Sequence, residues 1–436
     1  MSAAAPPSTG PVGIPLAPTG PVTTPVGPAR RADRALPPGM REQVLLVCAL
    51  VATAQITWGA IVPALPDLGA AFGLTSTLLG VVVAAFGVGR LLTNLPAGML
   101  ADRRGPRGLV LGAAAALALV TALTGSVGSL PVLLGLRVVA GALGGTVVTV
   151  GMAMLAARTP AGARGTVMAT AQAVQLAGAA LGPALGGAVM GAWGLRAVFL
   201  VAAVPVAVCV VVAALRHDRG YWARVRPAVD ASVGGAAPGA PSDPRAGVRV
   251  PRAVLGAVVG AHVVGAAVFV ARFGGEQTLA PLLGRAVGLD AGGLGIALAV
   301  VTVLSLAAMP LTARALDAGW RRRLMVPTLA VGALALALYP VAGDAVTFAV
   351  LVVVAGTCVS AGGIVPGVVL ADVVPPERQG RITGLFRSVG DLGAVAGPLA
   401  LGALLDAGGP AAASAVLAGV VALAAVAGAL LVRVPR

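Results

Sequence analysis

The chain has 436 residues, of which 58% are hydrophobic and only 10% are charged. Soluble domains are about 25% charged, so this composition excludes an ordinary soluble protein and indicates a polytopic membrane protein. The net charge of +15 would suit a nucleic-acid partner, but the basic residues are all arginine and most lie in alternate connections between apolar runs. This asymmetry predicts a plasma-membrane protein with both termini in the cytoplasm. Its arginines then face anionic membrane lipid, and no nucleic acid is needed.

The chain divides by composition into a tail, two helical halves and a linker. Residues 1–42 are rich in proline and small residues, which predicts a disordered cytoplasmic tail. We predict an N-terminal six-helix bundle over 43–215, a cytoplasmic linker over 216–251 and a C-terminal six-helix bundle over 252–433. Apolar runs of about 20 residues can cross a bilayer. Twelve such helices are predicted, at residues 43–66, 76–99, 108–128, 130–156, 165–191, 196–215, 252–275, 290–314, 324–342, 345–371, 380–406 and 411–433.

A short charged turn over residues 96–107 connects the second and third apolar runs. We expect Gly98 to let the two helices approach closely, and Gly105 to take the positive φ that ends the connection. Asp102 is expected just beyond the helix end at residue 99. Its expected partners are loop arginines or the N-terminus of another helix.

The two halves repeat one another. Small residues recur at a fixed offset of 215 positions, with Pro66, Gly73, Leu74 and Gly80 matched by Pro281, Gly288, Leu289 and Gly295. A second set repeats at the same offset, with Gly165, Gly178, Gly182, Pro183 and Gly187 matched by Gly380, Gly393, Gly397, Pro398 and Gly402. In the second copy of the charged turn, Leu316 replaces Asp102, so any gate built on that carboxylate is one-sided.

Four motifs resemble those of one transporter family. The turn reads G-x-L-A-D-R-x-G-x-R and resembles the loop 2–3 signature of the major facilitator superfamily. Leu133-x-x-x-Arg137-x-x-x-Gly141 resembles the family's helix 4 motif. Gly178-x-x-x-Gly182-Pro183-x-x-Gly186-Gly187 resembles the helix 5 motif of its antiporters. Trp193-Gly194-x-Arg196-x-x-Phe199 resembles the turn between its helices 5 and 6. The helix 5 glycines can also be explained by close helix packing alone.

This resemblance implies an all-α membrane protein with twelve transmembrane helices in two parallel six-helix repeats, the major facilitator fold. It is similar to bacterial drug and metabolite proton antiporters. The fold places the substrate near the midplane between the halves. The resemblance implies a conformational gate in the charged turn, formed by Gly98, Asp102, Arg103, Gly105 and Arg107.

Ionisable residues inside transmembrane helices are costly and indicate function by default. The resemblance places Arg137 on the cavity, where it would hold an anionic group or tune the coupling acid; a structural arginine is the alternative. The candidate substrate-binding residues are Gln55, Trp58, Arg137, Thr149, His262 and Arg272. His262 is also explained as a packing residue. Since only 3% of residues are aromatic, we expect a site poor in rings.

Two carboxylates are candidates for carrying a proton, and each follows an arginine by four residues. Arg272 and Glu276 can neutralise one another on helix 7, and Arg387 and Asp391 on helix 11. The resemblance places helix 7 on the cavity and helix 11 at its side. We therefore favour Glu276 as the coupling acid and expect Asp391 to form a fixed ion pair with Arg387.

The leading hypothesis is a secondary transporter, not an enzyme, that exports a small organic compound in exchange for protons. Proton-coupled import of an organic anion is the alternative. A membrane-embedded enzyme and a solute sensor without transport are less favoured. We expect a monomer that needs no cofactor. No metal is expected either, because the sequence has only two histidines and no metal-ligand cluster.

Overall fold

Long apolar helices make up almost all of the chain that the structure describes. The computed structural model describes residues 36–223, 252–374 and 376–432, so most of the predicted tail and linker lies outside the described residues. Ten helices of the described part are long and apolar enough to cross a membrane. The α-helices are α1 (Pro38–Gly59), α2 (Leu65–Phe72), α3 (Ser76–Arg104), α4 (Pro106–Thr124), α5 (Leu130–Arg158), α6 (Ala161–Arg216), α7 (Arg252–Val270), α8 (Ala280–Ala286), α9 (Ala291–Asp317), α10 (Arg321–Ala337), α11 (Ala345–Val373) and α12 (Pro376–Leu431).

Two of these helices, α6 and α12, are each 56 residues long and broken once. Gly194 interrupts α6 with φ 77° and ψ −178°, and Gly409 interrupts α12 with φ 72° and ψ −174°. A straight helix of that length would extend about 84 Å, whereas the hydrocarbon core is about 30 Å thick. Each is therefore two crossings joined at a glycine, and the ten helices provide the twelve predicted crossings.

Backbone conformation repeats between the halves. Six glycines of the described residues have a positive φ, and they form three pairs at offsets of 215, 214 and 215 positions. The pairs are Gly73 with Gly288, Gly105 with Gly319, and Gly194 with Gly409. Chain reversals at matching positions confirm two parallel six-helix repeats. We refer to α1–α6 as the first half and to α7–α12 as the second half.

The charged turn is shorter than predicted. Helix α3 continues to Arg104 and α4 begins at Pro106, so Gly105 alone, with φ 87°, connects them. The predicted helix end at residue 99 is wrong, because Arg103 and Arg104 in the last turn stabilise the negative C-terminus of the helix. Asp102 thus belongs to α3; its side chain lies outside the described part.

The close-approach role predicted for Gly98 is also wrong. A Cβ at Gly98 would have no neighbour within 4 Å, so no other helix packs against this residue. Arg103 and Arg107 of the same predicted gate are exposed. The structure thus confirms the positive φ of Gly105, and the gating role of the turn stays a prediction.

The first and seventh predicted helices also differ from the structure. Helix α1 ends at Gly59, and the short α2 follows it from Leu65. Helix α7 does not stop at residue 275 but continues through a π-helix (Ala271–Leu279) into α8. Pro281 lies in the first turn of α8, where its missing N–H costs least.

The two halves pack tightly at one end of the bundle, which we call the outer end because it lies opposite the arginines that end α3. There the carboxylate of Asp406 on α12 accepts hydrogen bonds from Ser76 N at 2.9 Å, Thr77 N at 2.7 Å and Thr77 Oγ1 at 2.6 Å. Arg285 of α8 forms an ion pair with Asp67 of α2 at 3.5 Å. Polar side chains therefore close this end between α3 and α12 and between α2 and α8.

Toward the other end, helices α3 and α12 separate. Val395 packs beside Gly87, and Asn94 still reaches Asp391 at 2.9 Å. Gly98 lies one turn beyond Asn94 on the same face, with no neighbour within 4 Å of its Cβ position. The halves therefore meet from the outer end to mid-depth and diverge beyond it.

Candidate functional site between the two halves

An ion pair joins the halves at the middle of their helices. Arg90 is halfway along α3, and its guanidinium contacts the carboxylate of Asp391 on α12. Asn94 Nδ2 donates to the other carboxylate oxygen at 2.9 Å, and Thr149 Oγ1 of α5 donates to Asn94 Oδ1 at 3.1 Å. Asp391 is only 8% exposed. Both oxygens of this buried carboxylate are thus held by the first half.

The predicted partner of Asp391 was wrong. Arg387 is exposed and Arg90 takes its place. A spacing of four residues makes side chains neighbours along one helix, but it does not exclude a stronger partner from a facing helix. Arg90 approaches from α3, where Asn94 adds a second donor to the same carboxylate.

Four aromatic rings lie beside this ion pair. The Trp58 centroid is 6.0 Å from that of Phe86 and 5.1 Å from that of Phe273, and Phe269 stacks on Phe273 at 5.9 Å. The Arg90 guanidinium carbon lies 5.9 Å from the Phe273 centroid. The expectation of a ring-poor site was wrong, because the fold gathers four of the few aromatic residues from both halves.

Arg137 borders the same cluster and has free hydrogen-bond donors. It is 3% exposed, and its guanidinium carbon lies 5.0 Å from the Phe86 centroid. Its Nε and Nη2 have no hydrogen-bond partner. One turn along α5, a Cβ at Gly141 would lie 2.0 Å from Phe86 O, so only glycine permits this contact between α3 and α5. The predicted helix 4 motif thus sets a buried cation on an aromatic face.

The glycines of the antiporter-type motif form two contacts. A Cβ at Gly178 would lie 2.2 Å from Ala52 O, and one at Gly186 would lie 2.0 Å from Ala60 O, so α6 packs closely on α1. Gly182 and Pro183 pack beside Gly59 in the same contact. Gly187 instead faces the second half, where its Cβ would lie 2.2 Å from Ala291 O of α9. The motif therefore packs α6 both within its half and across the interface.

Glu276 points away from the interface. It lies in the π-helix, and a Cβ at Gly356 of α11 would be 3.1 Å from its Oε1. Phe273, three residues earlier, faces Trp58 of the first half. None of the ion pairs within 4 Å in the described part of the chain joins Glu276 to Arg272, so their predicted neutralisation is not seen. Of the two carboxylates, Asp391 contacts the other half and Glu276 contacts its own, and the choice of coupling acid stays a prediction.

The other predicted binding residues are dispersed. Gln55 is half-buried on α1, one turn before Trp58, and Arg272 is half-buried in the π-helix. His262 Nδ1 donates to Val258 O at 2.8 Å and its ring lies edge-on to Phe386 at 5.8 Å. His262 therefore packs within the second half, where its Nε2 is buried without a hydrogen-bond partner, and its binding role stays a prediction.

Sequence reasoning missed Arg90, Asn94, Phe86 and Phe273 as site residues. Arg90 carried a usable signal, because an arginine at the centre of an apolar run needs a buried partner. Asn94, Phe86 and Phe273 could not be identified from the sequence, since an amide or an apolar ring in a helix indicates a site only when its neighbours are known.

Comparison with known proteins agrees with this arrangement. The profile of the Major Facilitator Superfamily matches residues 47–276 and 263–436. The chain belongs to the Major Facilitator Superfamily. It is therefore a multi-pass membrane transporter, of a family whose members move small molecules.

Curated relatives of this superfamily protein match over part of its length. The multidrug resistance protein MdtG of Dickeya zeae (strain Ech586) is 34% identical over 163 residues, which cover 33% of this chain and 40% of that protein. The MdtG of Serratia proteamaculans (strain 568) is 31% identical over 166 residues, covering 34% and 40%. The match thus spans well under half the length of these relatives.

Solved structures share the fold at low sequence identity. A D-xylose–proton symporter superimposes with a TM-score of 0.69 at 17% identity, covering 90% of this chain and 98% of that one. A bacterial homolog of the human lysosomal transporter Spinster, in an inward-facing and occupied conformation, gives 0.68 at 15% identity, covering 91% and 96%. The human organic anion transporter MFSD10 gives 0.62 at 17% identity, covering 90% and 100%. These likenesses show the major facilitator fold.

Proposed function

We propose that this transporter exports small organic compounds in exchange for protons, and that Asp391 carries the proton. The observation that carries the proposal is the ion pair between Arg90 and Asp391, which is the buried charge contact between the halves at mid-depth. A coupling group must affect how the halves meet, and Asp391 lies where they meet. Glu276 packs inside the second half against Gly356.

The proton would act by competing with Arg90. Ionised Asp391 binds the Arg90 guanidinium and the Asn94 amide at once. Protonation removes the negative charge, so the charge-assisted bond to Arg90 is lost and the contact between α3 and α12 weakens. A ligand or proton shifts a conformational equilibrium only by interacting differently with its states, and this carboxylate supplies such a difference.

The substrate class follows from the rings and from Arg137. Trp58, Phe86 and Phe273 form a buried apolar cluster where the halves meet, and the unpartnered nitrogens of Arg137 are donors for an oxygen acceptor or an anion. We propose an amphiphilic compound with an aromatic or apolar body. The multidrug names of the MdtG relatives support export of such compounds.

Import of an organic anion with protons is a second candidate, and the free donors of Arg137 favour it. The two candidates differ in direction relative to the proton gradient. Inverted membrane vesicles distinguish them, because an exporter accumulates its substrate in inverted vesicles that are acidified inside, whereas an importer does not.

The coupling role is tested with matched carboxylate variants. A substrate is first identified by a thermal-stability screen of organic compounds on the purified protein, since any binder raises its stability. In proteoliposomes we expect Asp391→Asn to abolish flux driven by a pH gradient while retaining substrate counterflow. Asp391→Glu should restore part of the driven flux, and Glu276→Gln should keep both activities.

Two results would contradict this assignment. Normal proton-driven flux in Asp391→Asn would exclude Asp391. Loss of driven flux with intact counterflow in Glu276→Gln, beside a normal Asp391→Asn, would transfer the role to Glu276 as the sequence suggested. The melting temperature of each variant shows whether a loss reflects misfolding, since Asp391→Asn leaves Arg90 buried without its partner.

A further inference from the structure

A cavity of about 710 Å³ lies at the arginine-rich end of the first half, far from the ion pair between the halves. It is bounded by the start of α1, the last turn of α5 and the chain that leaves α6. Glu42, Arg158, His217 and Tyr221 are among its lining residues. Transport as proposed above does not use it.

The wall of this cavity is ordered by one buried amide. Gln43 is 4% exposed; its Nε2 donates to Arg216 O at 3.1 Å, and its Oε1 accepts from Asp218 N at 3.0 Å and Trp222 Nε1 at 2.8 Å. Trp222 is itself 1% exposed. The segment after α6 is thus fixed onto the first half rather than loosely attached.

Three buried polar atoms of the cavity's lining residues have no hydrogen-bond partner: Arg158 Nε, His217 Nε2 and Tyr221 Oη. Arg158 Nη2 donates to Ala223 O at 2.6 Å and His217 Nδ1 donates to Ala214 O at 2.8 Å. With Nδ1 as the donor, His217 Nε2 is an acceptor, so the two free donors are Arg158 Nε and Tyr221 Oη. Burial raises the pKa of Tyr221 to about 12, so its hydroxyl keeps its proton and remains a donor. An unmet buried donor costs about 1–3 kcal/mol, which an acceptor in the cavity would recover.

The charges around the cavity favour an anion. Two carboxylates are present but both are engaged: Glu42 pairs with Arg216 at 3.2 Å, and Asp218 Oδ1 accepts from Tyr221 N at 2.7 Å. Two arginines line the cavity, Arg158 and Arg216, and Arg158 has no carboxylate partner within 4 Å among the described residues.

We infer that this cavity binds a phosphoryl anion, held by Arg158 and by the hydroxyl of Tyr221. A guanidinium suits phosphate because its planar donors match the oxygen geometry, and charge-assisted bonds are about twice as strong as neutral ones. Two sources share this chemistry, the headgroup phosphate of an anionic phospholipid and a free phosphate in solution. Both are available at a face that carries the arginine-rich loops.

The experiment uses the full-length protein in an uncharged detergent with two probes. Inorganic phosphate is titrated against chloride at constant ionic strength, and phosphatidylglycerol is titrated against phosphatidylcholine in mixed micelles. Binding is read from the melting temperature and from calorimetry. Tyr221→Phe removes the unpartnered hydroxyl while keeping the ring, Arg158→Gln removes the cation, and Arg219→Gln removes an exposed arginine that does not line the cavity.

We expect Tyr221→Phe to weaken binding about tenfold and Arg158→Gln to weaken it more, while Arg219→Gln changes it less than twofold. Binding of phosphate with these effects identifies a free anion; binding of phosphatidylglycerol alone identifies the lipid. Absence of binding for both probes overturns the inference. So does an equal loss in Arg158→Gln and Arg219→Gln, because that pattern reports general charge attraction.

Discussion

Among the described residues, Arg137 has two buried side-chain nitrogens without a hydrogen-bond partner. Its guanidinium lies on Phe86, and two of its nitrogens have no partner although it is 3% exposed. We expect Arg137→Lys to weaken substrate binding at least tenfold, because lysine lacks the planar fork and the stacking face of arginine. Titration of a substrate identified in the stability screen measures the change.

The same preparation distinguishes a ligand role from a structural one. If Arg137 mainly stabilises the helix bundle, Arg137→Lys will lower the melting temperature while the remaining folded protein binds normally. Arg322→Lys, at an exposed position of the second half, is the matched control and should change neither property. Normal affinity in Arg137→Lys contradicts the binding role.

At the residue scale, the sequence identified charged positions better than their partners. The positions of Arg137 and Asp391 within apolar runs could be read from the sequence, since a charged residue inside a transmembrane helix is costly and indicates a function. The pairing of Asp391 with Arg90 could not be predicted, because it depends on which face of α12 meets α3. Helical periodicity gives neighbours along one helix but not across two halves.

At the scale of elements, glycine determines how closely α6 and α1 pack. A Cβ at Gly186 would lie 2.0 Å from Ala60 O, a backbone atom that cannot turn aside. We expect Gly186→Ala to destabilise the protein by about 1–3 kcal/mol, as overpacking does. Thermal unfolding of the purified variant measures the loss.

The control for this variant is Gly191→Ala, one turn further along the same helix. A Cβ at Gly191 would have no neighbour within 4 Å, and alanine is the better helix former, so this change should be neutral or slightly stabilising. Equal melting temperatures for the two variants would show that α1 and α6 can move apart without cost.

Helix number and type were predictable, but their ends were not. Runs of about 20 apolar residues identify crossings because the bilayer sets their length. The continuation of α3 to Arg104 and the π-helix after α7 arise from backbone hydrogen bonding at particular residues. Composition alone does not show at which residue either of these helices ends.

At the scale of the whole molecule, the N-terminus of α3 receives its cap from the other half. Its own Thr75 Oγ1 accepts from Leu78 N only at 3.4 Å, whereas Asp406 accepts from both Ser76 and Thr77. We expect Asp406→Asn to favour separation of the outer ends, because the amide keeps one acceptor oxygen but loses the second acceptor and the negative charge, which is worth about 0.3–1 kcal/mol at a helix N-terminus. Spin labels at the exposed positions 70 and 286 should report a longer distance.

Asp344→Asn is the matched control for this change. Asp344 accepts from Val346 N and Thr347 N at 2.9 Å, so it caps its own helix α11 within the second half. Its replacement should lower stability without altering the distance between the labels. An unchanged distance in Asp406→Asn would show that the cap does not hold the outer end closed.

The two outer contacts between the halves are related by the repeat yet differ in chemistry. Gly187 lies on Ala291 as Gly402 lies on Ser76, but the polar bonds of Asp406 are added only beside the second contact. Helices in contact through glycine can change their crossing angle without losing a bond, whereas the hydrogen bonds of Asp406 must break before its two helices separate. We therefore expect the two halves to rotate about an axis near α6 and α9, so that α3 and α12 separate at the outer end. An exported apolar compound would then leave sideways into the bilayer, without first dissolving in water.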